Sequence, residues 1–528
     1  MVREADVVVA GAGHNSLITA AYLARAGLSV IVVDARSVAG GGAASEELLE
    51  PGFLLDSCST GHTLIQTNPL LTRDELGLLG EQGLEYLSPD PFAHVVFPDG
   101  EQLTMWLDLE RSCEELARFS KRDAAAYRET LDEYDRVKQV FSAARFNPVG
   151  YGPSMSEMLA EHPDGHRWER RRMLSAWEVI RDTYESEHVR AFFLWQAFQT
   201  YVPVDVAGTG PLAYSIVFGR QRRGWTLPRG GSGELAASLV RTIEAAGGEV
   251  LTDRKVERLV LDGDRCIGFE VGGGERFIGR QAVVSTIHVK HLIDMAPAEV
   301  WPEDWRWGIK TYDIGLSGFA VHHATSAAPV YETPRGQRSS VSSGLAGFPQ
   351  QVLDYGRRMR DGIHDPEPAW LLLACPTLAD PSRAPEGHHT VKLLTCAVAS
   401  PPPGAASWQD AKGEFAARQL ERVREYVPSL SDDAILASLV QAPPDIEAQN
   451  PHMIDGAMHG GIRSLPQAGP LQPAPGWGRH RTPLAGLYQT GGTTHPGGSI
   501  TGAPGRNAAR IVFEDLGLDF DAVAGGEG

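Results

Sequence analysis

Hydrophobic positions near the start of the chain change their spacing twice within thirty residues. Val7, Val8 and Val9 form a β-branched run, Leu17, Ala20, Ala21 and Ala24 recur at helical spacing, and Val30 to Val33 is apolar without a break. The two runs predict buried strands, and the recurrence between them predicts a helix from Ser16 to Ala26, closed at Gly27. Strand, helix and strand in this order form a βαβ unit with a parallel pair. The alternation returns after Gly224 as an amphipathic helix, a strand at Glu249–Leu251, a hairpin of Val256–Leu261 and Cys266–Val271, and a buried strand at Ala282–Thr286. A third block, Gly486–Gly517, reads as strand, glycine-rich loop and helix, with Pro504 in the first turn and Gly517 past the end.

Between these blocks the pattern differs. Glu110–Phe119 and Ala124–Phe141 are amphipathic helices, and Ala191–Tyr201 is aromatic and apolar on nearly every side. That last stretch predicts either a core helix or one wall of an apolar substrate cavity. Later, strands at Gly315–Val321, Trp370–Cys375 and Val391–Ala397 mix with a helix at Lys412–Tyr426. The expected fold is α/β: a discontinuous Rossmann-like domain of residues 1–68, 224–295 and 481–520. It carries an inserted α+β substrate domain of residues 69–223 and 296–480, and residues 521–528 form a disordered tail.

Composition narrows the partners. Of 528 residues 42% are hydrophobic and 22% charged, as in ordinary globular proteins, and the formal net charge of -19 argues against a nucleic-acid partner. Five widely spaced cysteines predict no disulfide framework and no zinc knuckle. No apolar run approaches the roughly 18 residues of a membrane span, and the N-terminus enters the first strand without a signal sequence. A cytoplasmic protein is expected, with peripheral membrane contact left open. The basic runs Arg167–Arg172 and Arg220–Arg223 read first as solvated faces or ion-pair partners. The pairs His322-His323 and His388-His389 read as structural, and no metal site is expected.

The chemistry lies in the glycine loops. Gly11-Ala12-Gly13 falls between strand and helix, and Asp34 follows the second strand, which is the dinucleotide-binding arrangement: helix N-terminal amides hold a pyrophosphate and the acid holds ribose hydroxyls. Ser16 stands where the third glycine of G-x-G-x-x-G belongs. Arg36 could meet an NADP 2′-phosphate, which Asp34 would repel. Gly40, Gly41, Gly42 and Ala43 bring more bare backbone to the same place.

With Gly224–Gly233 and Gly491–Asn507, and above all the run THPGGSITGAPGRNAA (Thr494–Ala509), the chain resembles the FAD-dependent phytoene desaturase-like family within the amine-oxidase-like flavoproteins. Gly13–Leu17 points to the branch that includes pyridine nucleotide-disulfide oxidoreductase domain protein 2. The resemblance implies FAD held by Gly11, Ala12, Gly13, His14, Asn15, Ser16, Asp34, Ala35, Arg36, Gly40, Gly41, Gly42 and Ala43. Val256 would touch the adenine through its backbone, and Gly491, Gly492, Pro496, Gly498, Ser499, Ile500 and Thr501 would lie along the isoalloxazine. The helix near Pro504 would aim its positive end at the flavin O2/N1 edge.

No cysteine follows Cys396, so non-covalent FAD is expected, and with no second nucleotide motif the electron acceptor is oxygen, a quinone or another protein. The expected reaction removes a hydride and a proton from an apolar or lightly functionalised small molecule, with His495 and His62 as candidate bases. Two alternatives remain: a redox-neutral double-bond isomerase or saturase, and a non-catalytic lipid-binding protein on the same fold.

Overall fold

Three segments far apart in sequence meet in one sheet. The structure is a computed structural model and describes residues 1–525. Strand Val2–Ala10 pairs in parallel with Glu275–Ser285 on one side and Val30–Val33 on the other, and Glu249–Leu251 continues beyond Val30–Val33. Glu275–Ser285, at 11 residues, serves two partners along its other edge. Its first half takes the hairpin strand Arg265–Val271 antiparallel, and its last three residues take Leu487–Gln489 in parallel. Val7 to Val9 and Val30 to Val33 are buried on both faces, as a covered parallel sheet requires. Helices His14–Arg25, Gly233–Ala245 and Ala503–Asp515 cover one face, and Trp305 and Ile309 of helix Glu303–Lys310 cover the other.

A second seven-stranded sheet runs in the order Ile435–Gln441, Ser317–Thr325, His389–Ala397, Trp370–Ala374, Ser342–Ala346, Ala93–Val96, Gln102–Met105. It is antiparallel except where Ser342–Ala346 meets Ala93–Val96. Helices from residues 109–223 pack on one face and helix Trp408–Arg424 on the other. Helix Glu187–Phe198 is docked on this sheet by reciprocal bonds, Trp195 Nε1 donating to Leu371 O (2.9 Å) and Trp370 Nε1 to Trp195 O (2.9 Å). Ala191 to Phe198 are all buried, so this stretch is a core helix. The residues that follow it turn toward a cavity.

Several expectations change. Helix Lys121–Phe146 is longer than its apolar pattern at both ends, and Ser120 sets its start by accepting from Asp123 N. The segment expected to be a disordered tail holds a helix, Phe520–Val523, anchored by Phe520 against Tyr22 and Phe513; residues 526–528 lie outside the described residues. Arg167 and Arg171 pair with Glu133, Arg172 with Glu169, and Arg222 with Asp135, so most of the basic runs are ion-pair partners. Arg220, by contrast, is buried. His322 and His323 bond Gln441 and Ser438 and are held neutral by burial.

The C-terminal helix is tied to the first by a buried ion pair. Arg506 Nε and Nη2 donate to Glu75 at 2.8 and 2.9 Å, and Tyr22 donates to the same carboxylate. Burial raises the Glu75 pKa, but the Arg506 bonds and charge outweigh it and hold the carboxyl below its ordinary range. Its stabilising contribution is therefore present above the unfolded carboxylate pKa and is lost as pH falls through the lower folded value. Removing one partner of such a pair costs about 3–5 kcal/mol, whereas an apolar replacement of both is far milder. Glu75→Leu should accordingly destabilise strongly in thermal unfolding, with most of the loss recovered in Glu75→Leu/Arg506→Met; a double variant no better than the single contradicts this.

Candidate active site

Thr286 follows strand Glu275–Ser285 and is wedged between two glycine turns. Its amide donates to Ala10 O (2.9 Å) and its side chain fills the space beside Gly11 (φ +97°) and Gly491 (φ +95°). A Cβ on Gly11 would lie 2.4 Å from Thr286 Cγ2, and one on Gly491 would lie 2.4 Å from Thr286 Oγ1. Only glycine accepts both the positive φ and this contact. The carboxyl ends of three adjacent parallel strands thus converge, the place where open α/β sheets bind ligands.

The phosphate loop is stitched to the next glycine run. Gly40 N donates to Ala12 O (2.7 Å) and His14 N to Gly40 O (3.2 Å). The His14 amide, expected to face a phosphate, is therefore engaged within the protein. Ser16 Oγ donates to Gly11 O (2.6 Å) and Gly13 O (2.9 Å), closing the loop with hydrogen bonds where a glycine would leave bare backbone. The close helix contact falls instead at Gly505, whose Cβ would come 2.2 Å from Asn15 O. There Thr19 Oγ1 donates to Gly505 O (2.8 Å), so the N-termini of two helices are locked side by side.

Asp34 is oriented before any ligand arrives. Its Oδ2 accepts from Ala12 N (2.6 Å) and its Oδ1 from Arg36 N (2.8 Å); burial raises its pKa against these bonds. The Arg36 guanidinium pairs with Glu46 (2.5 Å) and donates to Gly41 O (3.3 Å), which commits it to the loop and leaves a 2′-phosphate without its partner.

These elements border a cavity of about 640 Å³. From the sequence-derived set it takes Gly11, Gly13, His14, Asn15, Asp34, Ala35, Arg36, Gly41, Gly42, Val256, Gly491, Gly492, Gly498, Ser499 and Ile500. Ala12, Ser16, Gly40, Ala43, Pro496 and Thr501 lie behind that lining, where they shape the turns. Gly502 adopts the left-handed conformation (φ +66°) that starts helix Ala503–Asp515, and Asn68 Nδ2 pins the turn by donating to Thr501 O (2.8 Å).

The two candidate bases stand elsewhere. His62 is fully buried, with Nε2 bonded to Ser232 Oγ (2.6 Å) and Nδ1 to Tyr86 OH (3.2 Å), and burial pulls its pKa down to about 3. Its neighbours Gly61 and Thr63 border the cavity while the ring between them does not. His495 bonds Ala144 O through Nε2 (3.0 Å), and burial pulls its pKa down to about 4. Neither ring borders the cavity. Trp301 and Trp305 stack in the core under the first sheet and do not border the cavity.

The far end of the cavity was foreseen only in part, where Gln199 to Tyr201 close the Ala191–Tyr201 stretch as a wall. Gln199, Tyr201, Ile216, Arg220, Trp225, Leu372, Lys392, Leu394, Met458 and His459 meet there, an apolar chamber with basic groups and no carboxylate. Lys392 Nζ donates to Cys58 O and more distantly to Asp56 O (3.4 Å). Burial lowers its pKa below the ordinary lysine value, against the nearby Asp56 carboxylate, which Arg383 engages at 2.7 Å. One signal for Lys392 was available: it is the lone charge in Thr390–Ala397, a strand apolar on both faces. Arg220 gave none, sitting among exposed arginines.

An open, mostly parallel sheet with this crevice and its glycine cradles defines a dinucleotide-binding oxidoreductase fold. The chain belongs to the flavin containing amine oxidoreductase family, which matches residues 17–512, and is an oxidoreductase with a flavin cofactor. It is 28% identical over 545 aligned residues to one of the subunits of the limonene dehydrogenase of Castellaniella defragrans, covering 98% of this chain and 96% of that one. Pyridine nucleotide-disulfide oxidoreductase domain-containing protein 2 of Mus musculus is 25% identical (97% and 94% covered). Phytoene desaturase (lycopene-forming) of Pantoea ananas is 27% identical (96% and 99%). Among solved structures, putrescine oxidase bound to putrescine superposes with a TM-score of 0.60 at 15% identity, covering 98% of this chain and 100% of that one, which shows the fold.

The wedge at Thr286 gives a specific test. Gly11→Ala should lower the flavin-to-protein absorbance ratio after gel filtration, and adding Thr286→Ser, which removes Cγ2, should restore part of it. The same second change should not rescue Gly491→Ala, whose contact is with Oγ1. Equal rescue of both contradicts the geometry.

Proposed function

We propose that the chain is an FAD-dependent dehydrogenase that takes a hydride and a proton from neighbouring atoms of an organic substrate with an apolar body. The observation carrying this reading is one cavity joining the glycine cradle and Asp34 to an apolar chamber with a buried amine. Residues 1–68, 224–295 and 481–520 serve as the FAD-binding domain, and 69–223 with 296–480 as the substrate domain. FAD, when bound non-covalently there, supplies the hydride acceptor. The cradle fits it: Gly13 and Asn15 offer amides at a helix N-terminus, Asp34 offers carboxylate oxygens to the ribose, and Val256 borders the adenine end. Helix Ala503–Asp515 points its N-terminus toward the same loops and favours negative charge there.

Lys392 takes the proton. A neutral amine has two N–H groups and a lone pair; the Asp56 and Cys58 carbonyls accept from the first two and leave the lone pair for the substrate. Burial lowers the Lys392 pKa, which eases loss of the proton that a base must shed first. Tyr201, Trp225, Leu372 and Leu394 hold the substrate body and exclude water. The limonene dehydrogenase and phytoene desaturase relatives support dehydrogenation. Putrescine, the ligand of the solved neighbour, is cationic, whereas this chamber has no carboxylate to pair an ammonium.

The test is anaerobic bleaching of the flavin by candidate substrates, followed by reoxidation with oxygen or a quinone. Lys392→Met should retain FAD while slowing bleaching by about 10²-fold or more, the scale of lost general-base catalysis. The wild-type rate should rise with pH and level off above the folded Lys392 pKa, below the ordinary lysine range, while the variant stays low and flat. Unchanged bleaching in the variant would sink the assignment.

A further inference from the structure

The substrate chamber holds a buried guanidinium with no anion. Arg220, on helix Ser215–Arg223, is 5% exposed and borders the cavity. Its Nη1 donates to Gln196 Oε1 and its Nη2 to Gln199 Oε1 (2.8 Å), both neutral amides. Its Nε–H is buried without an acceptor, and the guanidinium carbon lies 5.9 Å from the Trp225 ring centre. A guanidinium has five N–H groups, so three are left without a protein acceptor.

Two other buried arginines are each given an acid, while Arg463, whose Nε and Nη2 are also buried without acceptors, does not border the cavity. Arg383 is given Asp56 at 2.7 Å, and Arg506 is given Glu75 at 2.8 Å. Arg220 has no carboxylate partner among the described residues. Burial, opposed by no neighbouring charge, brings its pKa down to about 9, which still leaves it charged at neutral pH. Burying a cation without its anion is costly, and the fold keeps this one at the mouth of the chamber's apolar wall. The missing anion is one that arrives from the cavity.

We infer that Arg220 receives a carboxylate of the substrate, which is therefore a monocarboxylate whose apolar body packs on Ile216, Leu372, Leu394 and Met458. A planar fork suits a carboxylate, and one guanidinium balances one negative charge, whereas a phosphate dianion would leave charge uncompensated in an apolar chamber. Lys392 Nζ is already engaged by the Asp56 and Cys58 carbonyls, whereas Arg220 keeps N–H groups without an acceptor. This inference rests on the cavity being the substrate chamber of the dehydrogenase proposed above, and it sharpens that reading from an apolar substrate to an amphipathic acid.

The test titrates the holoprotein with octanoate and with 1-octanol, read by flavin absorbance and in parallel by tryptophan fluorescence. Octanoate should bind about tenfold or more tightly than the alcohol, the scale of one charge-assisted hydrogen bond. The preference should vanish in Arg220→Met and persist in part in Arg220→Lys, with FAD content and melting temperature checked for each. Equal affinities, no octanoate binding, or a full preference surviving in both variants overturns the inference. A colourless protein that shows an Arg220-dependent octanoate preference by fluorescence would instead overturn the dehydrogenase reading and leave this one standing.

Discussion

The structure depends on how closely three strand ends can approach one another. Ala10, Ser285 and Gln489 end neighbouring parallel strands, and the backbone turns away from each through Gly11, Thr286 and Gly491. Thr286 fills the space that side chains on the two glycines would occupy. That arrangement joins the start, middle and end of the chain in one crevice, so segments hundreds of residues apart form a single cradle. The lock between Asn15 and Gly505 extends the same constraint to the two helices. Bare backbone at the crevice and close helix packing behind it are one solution to one steric problem.

Charge is managed by the same economy. Buried acids near the crevice are each committed: Glu75 to Arg506 and Tyr22, Asp56 to Arg383 and Ser45, Asp34 to two backbone amides. Histidines along and behind the cavity are held neutral by burial, His288, His452 and His459 among them. Against that background the chamber is unusual in containing basic groups alone. Lys392 is steered toward its neutral form by burial, which suits proton transfer, while Arg220 keeps its charge. The two basic groups are thereby given different tasks within one apolar space.

The cradle was legible because its chemistry is backbone chemistry. Glycines at a strand-to-helix turn, an acid at the end of a strand and Pro504 in a first helical turn each leave a local mark, and Val7 to Val33 carries period and turn together. Apart from the end of Ala191–Tyr201 the chamber was not legible, because its residues come from three separate elements: Gln199 and Tyr201 beyond a helix end, Arg220 on another helix, Lys392 on an inserted strand. No local pattern distinguishes Arg220 from Arg222, although one is buried and the other pairs with Asp135. His62 misled for a related reason. Its neighbours Gly61 and Thr63 do border the cavity, but the ring between them turns to the opposite side, where Ser232 and Tyr86 hold it. The tail misled because its composition is that of a loose end, while Phe520, packed on Tyr22 and Phe513, and Asp519, which caps the turn, anchor it from just upstream.

The central claim is that one cavity holds the cofactor at the glycine cradle and the substrate at the Lys392 end. A crystal structure of the purified protein grown with FAD tests it most directly. The account predicts density with the adenosine ribose within hydrogen-bond distance of Asp34, the pyrophosphate at the Gly13 and Asn15 amides, and the ring system facing the chamber of Lys392 and Arg220. A flavin bound with its ribose away from Asp34, or a ring system turned away from that chamber, would contradict it.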